Sequence, residues 1–303
     1  MRKIIYDPYT PKDLTYAKKV QCAYPGCPCD AINSHLLQKN RWLKNIAEDG
    51  KVLQIEDEHL QSLLDGDEEG NTYNIMSINR ALSLPIYCAQ HDQKLFRDFE
   101  VRDLDLTNEL QLLKLSYRAF CSVLAQEVRR SIFYDIDPQV NPICAGWAFD
   151  MRKGYSDFVI SVFEKYRSDM YAHIKSKNVS DYAFTVLKIP RLPICLSDVI
   201  VDENALIEAH LKEIQEPFTY PIFMHALAYD NETVLIAGYD KRQYNDRVRK
   251  LLDRWKNAAD AENMVMEWMI LANNWCVAPS AFGNNPEEVS DKIMMAKIQN
   301  IYG

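Results

Sequence analysis

The residues with the most chemistry in this sequence are cysteines and histidines gathered into two short stretches. One reads Cys22-Ala-Tyr-Pro-Gly-Cys27-Pro-Cys29, followed by Asn33-Ser34-His35. The other reads Cys88-Ala-Gln-His91-Asp92. Zinc takes four thiolate or imidazole ligands in a tetrahedron, and structural sites draw them as close pairs from two separate turns. Cys22 and Cys27 form one such pair, Cys88 and His91 the other. Cys29 can replace a thiol of the first pair, so the choice between Cys27 and Cys29 stays open. Pro25, Gly26 and Pro28 make the first stretch a tight knuckle, in which backbone N–H groups can face the sulfurs. The expected cofactor is therefore structural Zn²⁺.

Composition narrows the setting. The chain has 303 residues, 48% hydrophobic and 26% charged, which is ample for a globular core. Nine glycines disfavour a glycine-rich nucleotide-binding architecture, and the usual phosphate-cradling loop motifs are absent. No G-x-S-x-G or H-E-x-x-H is present, so serine hydrolase and zincin chemistry lack their residues. No apolar run approaches a membrane span, and the polar start MRKIIYDPYT does not read as an export signal. With eight cysteines and no sign of export, the expectation is a cytoplasmic protein with a metal site and no membrane partner. Cys121, Cys144, Cys195 and Cys276 lie among apolar residues and read as buried thiols.

The net charge is −8, against a surface built for wholesale phosphate contact. Residues 1–50 nevertheless carry eight Lys/Arg against five Asp/Glu, whereas 56–70 carry seven acids and no base. A locally basic face can meet nucleic acid whatever the total charge. Lys39, Arg41 and Lys44, beside His35, are the candidate phosphate contacts.

Thr10 and Pro11 suit the opening of a short helix. Leu36, Leu37, Trp42, Leu43 and Ile46 fall near helical spacing and predict a helix from Ala31 towards Gly50. Lys51–Ile55 alternates as a short strand, and residues 72–83 read as a weakly patterned insertion. A helix is expected from Lys94. Apolar stripes predict long helices over 107–134 and 148–178. Residues 182–189 and 194–201 are strand-like, a short helix covers 203–214, and 218–229 with 233–239 form a hairpin around Asp230-Asn231. Three more helices are predicted over 241–257, 260–274 and 286–302. The fold class is α+β. Residues 1–100 form a zinc-knuckle domain, and residues 101–303 a mainly helical domain with a small antiparallel sheet.

An early Cys pair, Ser34-His35-Leu36, and then Cys88-Ala-Gln-His91-Asp92 together resemble HNH nucleases with a treble-clef zinc knuckle, over residues 22–92. That resemblance implies a metal-dependent endonuclease acting on DNA. His35 would be the general base towards water attacking a phosphodiester. Asp92 would fall on the position that binds a catalytic Mg²⁺ or Mn²⁺. Ser34 stands where an acidic ligand is frequent, and Asn79, nine residues before Cys88, is what lies in the interval of the outline's middle Asn. His35 can equally support the zinc from behind or ligate it, which would exclude it as a base. Ser34-His35-Leu36-Leu37-Gln38-Lys39 and Cys88-Ala-Gln-His91-Asp92-Gln-Lys-Leu95-Phe96 are also similar to stretches in a group of uncharacterised bacterial proteins. A role in phage defence would suit such a module.

Two other functional readings stand beside this one. In the first, the zinc only stabilises a non-catalytic module whose C-terminal part binds a protein partner or a second copy of the chain. In the second, Arg167-Ser-Asp-Met-Tyr-Ala-His173 resembles the sparse Arg…His signature of HEPN ribonucleases, implying metal-free RNA cleavage by Arg167 and His173. His59, His210 and His225 have no partner at ligand spacing. His225 reads as a core or edge residue, and the tryptophans 255, 268 and 275 as packing residues.

Overall fold

The computed structural model describes residues 20–55, 73–134, 147–214, 216–254, 261–283 and 285–302. The helix expected at Thr10, His59, Cys144 and Trp255 lie outside them. The described residues form a mixed α/β structure with antiparallel sheets. In chain order they are β1 (Ile32–His35), a π-helical turn (Lys39–Leu43) running into α1 (Lys44–Ile46), β2 (Lys51–Ile55), β3 (Tyr73–Ser77), β4 (Ser83–Tyr87) and α2 (Ala89–Glu100). There follow α3 (Glu109–Tyr134), α4 (Trp147–Ser176), β5 (Tyr182–Pro190), β6 (Ile194–Ile200), α5 (Glu203–Leu211), β7 (Ile222–Ala228) and β8 (Glu232–Asp240). The chain closes with α6 (Asp246–Arg254), α7 (Ala261–Leu271), β9 (Trp275–Val277) and α8 (Pro286–Tyr302).

Seven strands make one antiparallel sheet in the order β3-β2-β9-β6-β7-β8-β5. Both faces of its centre are covered. Phe223, Leu227, Val234 and Ile236 alternate with Met224, Ala226, Leu235 and Ala237. The first set joins the core with residues of α3 and α4, the second the core with residues of α7 and α8. This is why β6 and β7 read as near-continuous apolar runs: period-two alternation is visible only when one face is wet. The sheet is larger than expected and runs across residue 100. Val52–Gln54 of β2 pair with β3 on one side, and Leu53 pairs with Val277 of β9 on the other.

The helix expected from Ala31 is corrected. Ile32–His35 is a strand, antiparallel to β4, with Ser34 opposite Leu84 and His35 opposite Ser83. Leu36, Leu37, Trp42 and Leu43 are fully buried, but from a turn and a π-helical segment. The helical segment begins at Lys39, eight residues after the expected start at Ala31.

His225 lies in β7, wholly buried on the α3 side. It is held between Ser116 Oγ of α3 (3.1 Å) and Ser197 Oγ of β6 (3.0 Å). It is a satisfied core histidine, as its position in a strand suggested. Burial pushes its pKa down from 6.5 to about 3. On acidification the unfolded chain takes up a proton that the folded chain refuses, so stability is fully present above pH 6.5 and falls below it. At pH 5 this single group is expected to cost about 2 kcal/mol relative to pH 7. Urea denaturation of wild type and His225→Gln at both pH values checks it: the gap between them should narrow at pH 5, and a constant gap would contradict the assignment.

Candidate metal centre and the residues beside it

The knuckle is built by backbone hydrogen bonds that follow from its turn residues. Cys22 N–H donates to Cys29 O (2.9 Å) and Cys27 N–H to Tyr24 O (3.0 Å). Gly26 sits at φ +75°, a left-handed position that glycine takes at no steric cost. Ala23 N–H donates to Ile86 O (2.8 Å), which docks the knuckle on β4. β4 ends at Tyr87 and α2 begins at Ala89. Cys88 is the N-cap of that helix in extended conformation, and its carbonyl accepts from His91 and Asp92 N–H (3.0 Å each).

Cys22, Cys27, Cys88 and His91 converge, each offering a ligand atom within 4.8 Å of the other three. His91 Nδ1 lies 3.2 Å from Cys88 Sγ and 3.6 Å from Cys22 Sγ, and Cys27 Sγ lies 4.0 Å from Cys88 Sγ. A tetrahedron with Zn–S arms of ~2.3 Å has edges of about 3.8 Å, so these separations suit one ion. Among the described residues this is the one group of three or more His, Cys, Asp or Glu that converges in this way. Cys29 is exposed and outside the four, which places Cys27 in the set. Burial pushes the Cys22 thiol up to about 12, whereas the Cys29 backbone N–H lowers Cys27. Binding a metal here therefore means expelling protons from thiols, and affinity should weaken at low pH.

His35 ends β1 and is half-buried. Its Nε2 donates to Ile78 O at 3.3 Å, and the Asn79 backbone is a second hydrogen-bond partner of the ring. Burial lowers its pKa, keeping the ring neutral near pH 7. Ser34, behind it, is buried and bonds Ile32 O. Asp92 lies in the first turn of α2. Its pKa is raised by burial, against the opposing pull of Arg118 and of the nearby His35 ring. His35 also feels the Asn79 backbone, and Asn79 Oδ1 accepts from Lys39 Nζ at 2.7 Å. Thus β1, the loop after β3 and the start of α2 bring His35, Asn79, Lys39 and Asp92 into one neighbourhood.

Of the basic residues expected to meet phosphate, Lys44 is exposed and Lys39 is partly so. Arg41 is turned to the protein instead. Its Nη1 donates to Phe99 O (3.0 Å) and to Arg102 O, and its Nη2 pairs with Asp103 at 3.3 Å. Arg167 and His173 share α4 but have different partners: Arg167 bonds Ala23 O and pairs with Glu164, whereas His173 faces Asn178 O, Asp169 and Asp181.

Arg118 of α3 was not anticipated. It is 1% exposed, and its Nη2 reaches Asp92 (3.4 Å) and Glu100 (2.5 Å) while the guanidinium lies 3.8 Å from the Phe96 ring centroid. Nothing local marks it, since it sits in a helical stripe as any surface arginine would. Removing it strands two carboxylates. Arg118→Met is expected to cost about 3 kcal/mol in urea denaturation while metal content is kept; a neutral substitution would mean the pair contributes nothing.

The described helices include none long and apolar enough to cross a membrane. The site defines a class, a Cys3His centre able to hold a metal ion. Comparison with known proteins goes no further: no family model, no curated protein and no solved structure matches the chain.

Proposed function

We propose that the centre is a structural zinc site of treble-clef type and that the residues beside it make this an HNH-like, metal-dependent endonuclease acting on DNA. What supports the proposal is that Asp92 directly follows the ligand His91 and lies near enough to the His35 ring to feel its charge. Antiparallel β1 and β4 lead directly into α2, which bears His91 and Asp92. His35 has the neutrality that a base needs, since burial lowers its pKa; with Nε2–H donating to Ile78 O, Nδ1 would be the nitrogen that takes a proton from water. Asp92, with water and a substrate oxygen, would hold Mg²⁺ or Mn²⁺, which supplies Lewis-acid stabilisation of the phosphoryl oxygens. Lys39 and Lys44 would meet the phosphate backbone, each through charge.

A second reading keeps the zinc and drops the catalysis, making the chain a binding or self-assembling module. Arg118 favours it, because it already occupies Asp92 Oδ1, and no second group of convergent ligands stands ready among the described residues. Incubation of zinc-loaded protein with plasmid and Mg²⁺ or Mn²⁺ separates the two. Nicking or linearisation that depends on the added cation supports the nuclease. Intact plasmid, with zinc bound at one per chain, leaves the module.

A further inference from the structure

We infer that Arg167 and Tyr171 of α4 are positioning residues of the metal centre, so that metal occupancy and the docking of α4 against the knuckle are one linked equilibrium. The inference rests on the Cys3His group holding a metal ion. Arg167 and Tyr171 are four residues apart and so share a helix face. Arg167 Nη1 donates to Ala23 O at 2.6 Å, the carbonyl between Cys22 and Tyr24. Its side chain is 13% exposed and is itself held by Glu164 one turn earlier. Tyr171 Oη donates to Tyr24 Oη at 2.6 Å. The Tyr24 ring in turn lies flat on the His91 imidazole, with centroids 3.7 Å apart and planes 2° from parallel. Lys94 covers the same tyrosine, 5.5 Å from its centroid.

One helix therefore controls two ligands by separate routes. Arg167 fixes the Ala23–Tyr24 peptide, one residue past Cys22. Tyr171 fixes Tyr24, and Tyr24 fixes the plane of His91, whose Nδ1 is the nitrogen facing the sulfurs. Groups that orient ligands from behind are typically worth 10- to 100-fold in metal affinity. Linkage makes the effect reciprocal: whatever factor α4 adds to metal affinity, the metal adds to the stability of α4 on the knuckle. This also gives Arg167 a role that its helical spacing to His173 did not reveal.

The test uses the full chain loaded with zinc, titrated against a chromophoric chelator. Tyr171→Phe removes one oxygen and leaves the ring, and Arg167→Met removes the donor. Each is expected to weaken zinc binding about 10-fold or more, while Met151→Ala, an exposed position on the same helix, leaves it unchanged. Hydrogen exchange supplies the reciprocal readout: stripping zinc should speed amide exchange over residues 164–174. If Arg167→Met fails to fold, Tyr171→Phe decides alone. Zinc affinity within twofold of wild type in Tyr171→Phe, or exchange over 164–174 indifferent to zinc, overturns the inference. A wild-type chain that takes up no zinc removes instead the metal-site reading beneath it.

Discussion

Cys88→Ser is expected to lose the bound metal and, with it, the joint docking of the knuckle, the β1–β4 pair and α2. Cys88 is the pivot of the centre. Its sulfur contacts His91 Nδ1 at 3.2 Å and Cys27 at 4.0 Å, and its carbonyl starts α2. Around the centre, β1 and β4 form a sheet of two strands, which is marginal on its own in water. Knuckle, strand pair and α2 share apolar core through Ala23, Leu36, Ile86, Tyr87 and Phe96, and the ion would fasten the three to one another at the ligands. A serine hydroxyl is a poor zinc ligand at neutral pH because it does not ionise as a thiol does. Loss of a metal belongs to the mechanisms that exceed about 4 kcal/mol. Metal analysis should fall from one zinc per chain to less than about a tenth, and the unfolding curve should shift or split. Retention of one zinc with an unchanged curve would mean that the four residues do not hold it. Cys29→Ser, at the exposed thiol outside the cluster, serves as the comparison and should change neither.

His35→Ala is expected to abolish cation-dependent DNA cleavage without touching the zinc. General base catalysis contributes about 10²–10⁴ in rate, so residual activity should fall at least 100-fold. The substitution removes a half-buried ring that bonds the backbone at Ile78 and Asn79, and it leaves the four ligands in place. The expected outcome is full zinc content, a near-wild-type melting curve and loss of cleavage. The pH profile adds a check. Burial lowers the His35 pKa, so the base form should persist below the ordinary histidine value, and activity should fall only under more acidic conditions. A variant that cuts as well as wild type would remove His35 from the mechanism.

Much of the fold was legible because its long elements carry strong patterns. The stripes of α3 and α4 and the Asp230-Asn231 hairpin are local signals, and the structure places them within a few residues of expectation. What failed depended on distant partners. β1 is four residues long and exists because β4, some fifty residues away, pairs with it, while Leu36 and Leu37 beside it advertise a helix. β4 contains Pro85, which suits a strand with one open edge but weakens any reading from propensity. β9 is three residues long and serves as the bridge between β2 and β6, so the sheet's continuity across residue 100 was invisible locally.

The metal ligands were readable for a different reason. Thiols and imidazoles at close spacing have few structural uses, so Cys22, Cys27, Cys88 and His91 announce themselves by type. Cys27 could not be told from Cys29 by spacing; the turn at Gly26 turns Cys27 towards Cys88 and leaves Cys29 exposed. Arginines carry no such mark. Arg118 under Asp92, Arg41 on the carbonyls of Phe99 and Arg102, and Arg167 on Ala23 act through partners tens of residues away. Their identity as supports of the site appears only when α3 and α4 pack against the knuckle, the β1–β4 pair and α2.

The most direct test is X-ray absorption at the zinc edge on the purified full chain. The expected spectrum has three sulfur scatterers at about 2.3 Å and one nitrogen at about 2.0 Å, given by Cys22, Cys27, Cys88 and His91 with His35 left free. Four sulfurs would put Cys29 on the ion and release His91. Two nitrogens would put His35 on the ion and end its role as a base. Either result, or a chain without zinc, would contradict the site from which the proposed function is built.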